Sequence, residues 1–257
     1  MTAIGTSVSP PRFGVATSST ACLATPGPQN VAMIEVTRLQ GIAGAARATG
    51  PTIVIDTFRA FTTAAVMFDA GVDRIVLQSD LDAARTVAIG LGALLCGEDK
   101  GIKPDGFDLG NSPAEAAARR DLEGSTVVMR TSAGTRSVLA ALEAGAGPVF
   151  AASLVVAAAT AHKVAGAAAV HIVSAGLNGT KPSEEDDLTA DYIEDVLGGG
   201  GDPDATAVLV ATCDRAATIE AAPWAHADDV SLATDVDRFD FAMEAIRVAG
   251  HVELVRR

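Results

Sequence analysis

Short β-branched runs alternate with longer Ala-rich stretches along this chain, the rhythm of an α/β domain in which strands and helices take turns. Strands are expected at 31–36, 52–56, 74–77, 93–96, 126–129, 148–151 and 169–174. Helices are expected at 60–70, 81–91, 113–120, 134–144 and 154–164. Ser112, Pro113 and Glu115 form a helix start, with a hydroxyl cap, a proline at the first position and an acid three residues after the cap. Asp80 reads as a second cap. Residues 98–111 make a connection long enough to be a binding loop. After Ser174 the character changes. Helices are expected at 183–197 and 203–219, separated by the glycine run 198–201, which reads as a flexible turn because no strand leads into it.

Charge sharpens that picture. The chain carries 19 Lys and Arg against 32 Asp and Glu, a net −13 over 257 residues. This balance works against a nucleic-acid partner or an anionic membrane surface. Half of the acids, 16, fall within 182–240, where Arg215 and Arg238 are the two bases. With 49% hydrophobic and 20% charged residues the chain is expected to fold. Residues 1–28, rich in Ser, Thr, Pro and Gly, read as a flexible tail, and 29–257 as one domain with a subdivision near 175–182. Neither a secretory leader nor a membrane span is expected. Cys22, Cys96 and Cys213 stand at no metal-ligand spacing and fit a reducing, cytoplasmic location. Ala-rich exposed helices would suit a homodimer.

Four places carry candidate chemistry. The apolar run Thr52-Ile-Val-Ile ends in Asp56, where ligands bind beyond strand ends in open α/β sheets. Its plain alternative is a cap on the following helix. A haloacid-dehalogenase phosphatase would need a second Asp where Phe58 stands. Cys96-Gly-Glu98 ends another strand in a carboxylate, either a solvated loop acid or, with Asp56, a hard-oxygen ligand for Mg²⁺. Arg130-Thr-Ser-Ala-Gly-Thr-Arg136 places hydroxyls, open amides and Arg136 at a helix start, fit for phosphate but without the Walker spacing. Ser183-Glu-Glu-Asp186 is an acidic helix start, which by itself merely complements the helix dipole. His162, His171, His226 and His251 stand apart from these elements, and no His/Cys cluster suggests zinc.

In order, these blocks resemble the 2-phosphosulfolactate phosphatase family. The resemblance rests on Asp56-Thr-Phe-Arg-Ala-Phe-Thr-Thr63, Gly97-Glu98, Gly106-Phe-Asp-Leu-Gly-Asn-Ser-Pro113, Ser132-Ala-Gly-Thr-Arg136, Ala175-Gly176 and Ser183-Glu-Glu-Asp186. It spans about residues 31 to 240, and the Gly106–Pro113 block is its most specific part. The resemblance implies a compact α/β fold with a mixed sheet, and with the element order the expectation is a three-layer α/β/α fold with a mixed, largely parallel sheet and an acidic helical C-terminal part. It implies Mg²⁺-dependent hydrolysis of the phosphate ester of a small sulfonated or carboxylated hydroxy acid. Asp56, Glu98, Glu185 and Asp186 would be the metal-binding carboxylates, and Arg59 and Arg136 would hold phosphate and the substrate's acidic end. Thr62, Thr63, Asn111, Ser112, Thr131, Gly134 and Thr135 would complete the substrate site. The chain departs from the family pattern at Phe58, Phe61, Ala133, Ser174 and Glu184. Ala133 replaces an Asn, which leaves two alternatives: a phosphatase for another phosphorylated hydroxy acid, or a non-catalytic ligand-binding relative.

Overall fold

Nine strands and ten α-helices follow one another among the described residues, which in this computed structural model are 1–2 and 34–257. The rest of the expected tail, Cys22 and the beginning of the strand expected at 31–36 lie outside the described residues. Residues Met33–Arg257 group together by their internal contacts. The strands are β1 (Glu35–Gln40), β2 (Gly50–Ile55), β3 (Arg74–Gln78), β4 (Leu94–Gly97), β5 (Thr126–Arg130), β6 (Ala146–Ala152), β7 (Ala169–Ser174), β8 (Met243–Val248) and β9 (His251–Arg256). The helices are α1 (Gly41–Ala45), α2 (Ala60–Asp69), α3 (Leu81–Leu91), α4 (Pro113–Ala118), α5 (Gly134–Glu143) and α6 (Ala157–Val164). The acidic region adds α7 (Glu184–Leu197), α8 (Pro203–Ala211), α9 (Asp214–Glu220) and α10 (Asp229–Ala233).

All nine strands join one sheet in the order β1-β7-β2-β6-β8-β9-β3-β5-β4. β1, β7, β2 and β6 pair in parallel, as do β3, β5 and β4. The hairpin β8–β9 sits between these blocks and pairs antiparallel with both. The expected acidic helical C-terminal part therefore needs correcting: after α10 the chain ends in the two strands at the centre of the sheet. Along β8, Met243 and Ala245 are buried while Glu244 and Ile246 are half-exposed, the period-two alternation of a strand with one covered face.

Both faces of the parallel block are covered. Val54 of β2 packs in one core cluster with Ala64, Val138 and Ala141 of α2 and α5. Its neighbours Ile53 and Ile55 point the other way and pack with Ala161, Ile193 and Ala216 of α6, α7 and α9. The expected caps form. Asp80 accepts from the N–H groups of Asp82 and Ala83, and Ser112 Oγ accepts from Glu115 N–H. The single helix expected at 203–219 is two, because Cys213 has extended backbone between Ala211 and Asp214. The stretch at 154–164 opens with a 3-10 turn, Leu154–Val156, before α6.

Three antiparallel steps reverse β3, β5 and β4 relative to β2 and β6. Adjacent strands also rotate by about 20–25° each, so the four steps from β2 to β3 turn the blocks by roughly 80–100°. Helices α2 and α5 both cross between the blocks, and their N-terminal ends meet. No helix among the described residues is long and apolar enough to cross a membrane.

Candidate active site

The meeting point of α2 and α5 is Asp56. β2 is buried from Ile53 to Ile55 and delivers the carboxyl at its end. Asp56 Oδ1 accepts from Ala60 N–H at 3.1 Å and Oδ2 from Gly134 N–H at 2.9 Å. One side chain thus serves the first turns of two helices, so the capping reading and a site reading coexist. The approach is close enough to demand glycine: a Cβ on Gly134 would stand 2.7 Å from Asp56 Oδ2. Burial raises the Asp56 carboxyl to about 6 against those two N–H donors, and the charge of Glu98 adds to the rise.

Glu98 follows β4 at a point where that strand touches β5. A Cβ on Gly97, whose φ is +145°, would lie 1.8 Å from Arg130 O. Glu98 Oε2 accepts from Gly101 N–H at 2.6 Å and from Ser132 Oγ at 3.0 Å, while Oε1 accepts from Ser132 N–H. Glu185 and Asp186 lie in the first turn of α7, each 2% exposed. Asp186 accepts from Thr57 N–H at 2.8 Å and Gly176 N–H at 2.9 Å, which ties α7 to the ends of β2 and β7. Glu185 Oε1 accepts from Ser183 Oγ at 2.6 Å; its Oε2 is buried without a partner. Burial pushes Glu185 up to about 7. It also raises Asp186, with the charges of Glu185 and Asp56 adding to the effect.

These four carboxylates line one cleft of about 120 Å³, together with Arg59, Lys100, Arg215, Asn111, Ser132, Ala133 and Trp224. Arg59 is committed within the protein. Its Nη1 donates to Asp229 at 2.7 Å, and the guanidinium lies 4.7 Å from the centre of the Trp224 ring. Asp229 is fully buried and also accepts from Ser112 Oγ, from Ala114 N–H at 3.3 Å and from His226 N–H at 3.1 Å. Arg215 comes no nearer to an acid than 3.9 Å, from its Nε to Glu185 Oε1. Asn111 borders the cleft with its Oδ1 buried and unpartnered. No histidine lines it.

Of the thirteen residues expected to bind metal or substrate, Asp56, Arg59, Glu98, Asn111, Glu185 and Asp186 come together in the cleft. The others do not line it. Arg136 is exposed and borders a separate depression with Ile42, Lys181 and Pro182. Ser112 caps α4 and holds Asp229. Thr62 Oγ1 donates to Thr57 O at 2.9 Å, and Thr63 is wholly buried within α2. Thr131 and Thr135 bond each other, and the Gly134 N–H is taken by Asp56. Sequence reasoning missed Lys100, Arg215, Trp224 and Asp229. The signals were present: Trp224 is the sole tryptophan, and Arg215 is one of two bases in the acidic stretch.

The donor set suits a hard divalent cation in kind: oxygen ligands throughout, a buried carboxylate oxygen without a partner on Glu185, and mutual repulsion that a cation would relieve. Among the described residues, no three His, Cys, Asp or Glu side chains converge into a ready-made metal cage. Mg²⁺ does not require one, since it keeps several waters and is held by one or two carboxylates.

The fold and cleft define an α/β protein with a buried acidic site that also holds guanidinium groups. The family model for 2-phosphosulpholactate phosphatase matches residues 39–238, and the chain belongs to that family. Probable 2-phosphosulfolactate phosphatases resemble it in part. The one from Thermus thermophilus is 40% identical over 89 residues, 35% of this chain and 37% of the relative. That from Deinococcus radiodurans is 36% identical over 129 residues, 49% of this chain and 53% of the relative. That from Bacillus subtilis is 33% identical over 153 residues, 57% and 64%. The chain thus aligns with less than two thirds of the length of each of these relatives.

Proposed function

We propose that the protein is a Mg²⁺-dependent phosphatase for the phosphate ester of a small acidic hydroxy acid, with 2-phosphosulfolactate as the first substrate to test. The observation that carries this reading is the convergence of Asp56, Glu98, Glu185 and Asp186 with cationic side chains in one cleft. Asp56, Glu98, Glu185 and Asp186 are the residues that would hold the cation. When bound, it would neutralise charge on the transferring phosphoryl group and make a water more nucleophilic. The protein's own part is positioning. Backbone N–H groups clamp both oxygens of Asp56 and of Asp186, so neither carboxylate can swing away. Glu185 Oε2 remains available to hold a cation or a proton. Arg59, held by Trp224 and by its buried counter-charge Asp229, fixes one wall of the cleft, and Arg215 and Lys100 are the cationic side chains left to meet an acidic substrate.

Phosphate release from phosphosulfolactate, phospholactate and phosphoglycerate, each with Mg²⁺ or EDTA, tests the reading. Turnover with Mg²⁺ and its loss in EDTA are expected. If no phosphorylated three-carbon acid is hydrolysed above background, the phosphatase reading is wrong. A second reading keeps the reaction and changes the substrate. Ala133 favours it, because it lines the cleft where the family pattern has an amide-bearing Asn.

A further inference from the structure

Among the described residues lining the cleft, Arg215 is the guanidinium with no hydrogen-bond partner, and we infer that it grips the phosphoryl oxygens of the substrate. This inference rests on the phosphatase reading and assigns the central anion contact to a residue outside every motif that suggested the family. The other guanidinium groups are occupied or elsewhere, and Lys100, the remaining cation of the cleft, is an exposed point charge without a planar fork. Arg59 is 3% exposed and neutralised by the fully buried Asp229. Arg130 donates to Glu98 O at 2.7 Å and pairs with Asp99 at 3.1 Å. Arg136 borders a different depression.

Arg215 has donors to spare. A guanidinium carries five N–H donors and stays charged at any physiological pH. The Nε of Arg215 is sealed from water with no acceptor, and Glu185 Oε1 at 3.9 Å is beyond hydrogen-bond reach. Its Nη groups make no hydrogen bond to the described residues either, and with the side chain 21% exposed at the cleft an oxyanion can reach them. The planar fork matches two oxygens of a phosphate monoester, which a point-charge ammonium would not do equally well. The position is apt as well, since Arg215 shares the cleft with Asp56 and Glu185. In the hydrolysis, the water oxygen joins phosphorus with one hydrogen as the ester P–O bond breaks. The water's other proton passes to the departing alcohol oxygen. Arg215 makes and breaks no covalent bond; it neutralises charge on the non-bridging oxygens throughout.

The test uses the full chain, Arg215→Ala and Arg215→Lys, with exposed Arg47→Ala as a control. Kinetics with phosphosulfolactate and Mg²⁺ are read beside calorimetric titration with inorganic phosphate, which needs no turnover. Arg215→Ala is expected to lose about a hundredfold to a thousandfold in kcat, the usual effect of removing one transition-state donor. It should also bind phosphate at least about tenfold more weakly, a charge-assisted contact being lost. Low guanidinium chloride, but not equal sodium chloride, should restore part of the rate, which a purely structural role would not allow. Wild-type kcat and phosphate affinity in Arg215→Ala would overturn the inference, as would a wild-type chain that binds no phosphate. If Arg215→Ala does not fold, Arg215→Lys decides, and wild-type values there reject the fork. If the wild type binds phosphate but hydrolyses no ester, the phosphatase reading falls and the titration alone judges Arg215.

Discussion

Stability should fall as pH rises from about 4 to about 7, opposite to the usual behaviour of ion-paired carboxylates. Asp56 and Glu185 have acid constants raised by burial, from 3.8 to about 6 and from 4.5 to about 7. Between those limits the folded chain holds protons that the unfolded chain has released, so the stabilisation is complete below about pH 4 and lost above about pH 7. Each rise corresponds to about 3 kcal/mol, and mutual repulsion makes the joint effect smaller than the sum. For a chain of this size, 3 kcal/mol is about 6–12 °C in melting temperature. Asp80 and Asp121 shift the other way, held low by the Ala83 N–H and the Arg119 guanidinium, and matter only below about pH 4. The assay is calorimetric melting in EDTA across that window, repeated with Mg²⁺ and with Glu185→Gln. Mg²⁺ should stabilise far more at about pH 8 than at about pH 5, because its ligands must be deprotonated. Glu185→Gln in EDTA should melt above wild type at about pH 8, where the substitution removes a buried charge. A wild-type melting temperature that is flat or rises from about pH 5 to about pH 8 in EDTA would refute the reasoning.

Two further outcomes follow from the packing. Asp229→Ala should destabilise by about 3–5 kcal/mol in urea titration, because it strands the buried Arg59 guanidinium; a loss below about 1 kcal/mol would mean Arg59 finds another partner. Ending the chain after Asp240 removes β8 and β9, which link the two parallel blocks, so circular dichroism should show a largely unfolded product. A cooperatively folded truncation would contradict the sheet order.

Local pattern carried most of the parallel strands well because they are buried apolar runs between turn signals; β1, Glu35–Gln40, is polar and half-exposed, and it starts four residues after the start of the strand expected at 31–36. The run at 169–174 has the same ends as β7, and 126–129 falls one residue short of β5. The C-terminal hairpin was harder to see. Met243-Glu-Ala-Ile-Arg-Val248 alternates correctly, but it follows an acidic helical region and its role depends on pairing with strands almost 100 residues or more earlier, such as β6 through Val149 and Ala245. Helix α10 has five residues, too few for a periodic stripe to register. The break between α8 and α9 leaves no mark in the local pattern, because Ala-rich sequence on both sides continues a helical pattern.

At the site, residues at strand ends could be read, and residues that arrive by tertiary packing could not. Asp56 and Glu98 end apolar strands, so position alone marked them. The hydroxyls of Thr62, Thr63, Thr131 and Thr135 looked equally available in one dimension, yet in three they are buried and away from the cleft. The opposite holds for Asp229 and Arg215, which look like ordinary members of an acidic surface region. Asp229 is instead a fully buried counter-charge joining Arg59, Ser112 and the α4 N-terminus. Net charge misleads here for the same reason. The 16 acids of 182–240 include Glu185, Asp186 and Asp229, which are buried, so the formal −13 does not describe the field an anion would meet. That field is set by how many carboxylates are protonated, paired or bound to a cation when the ligand arrives, and by the donors Arg215 still has free.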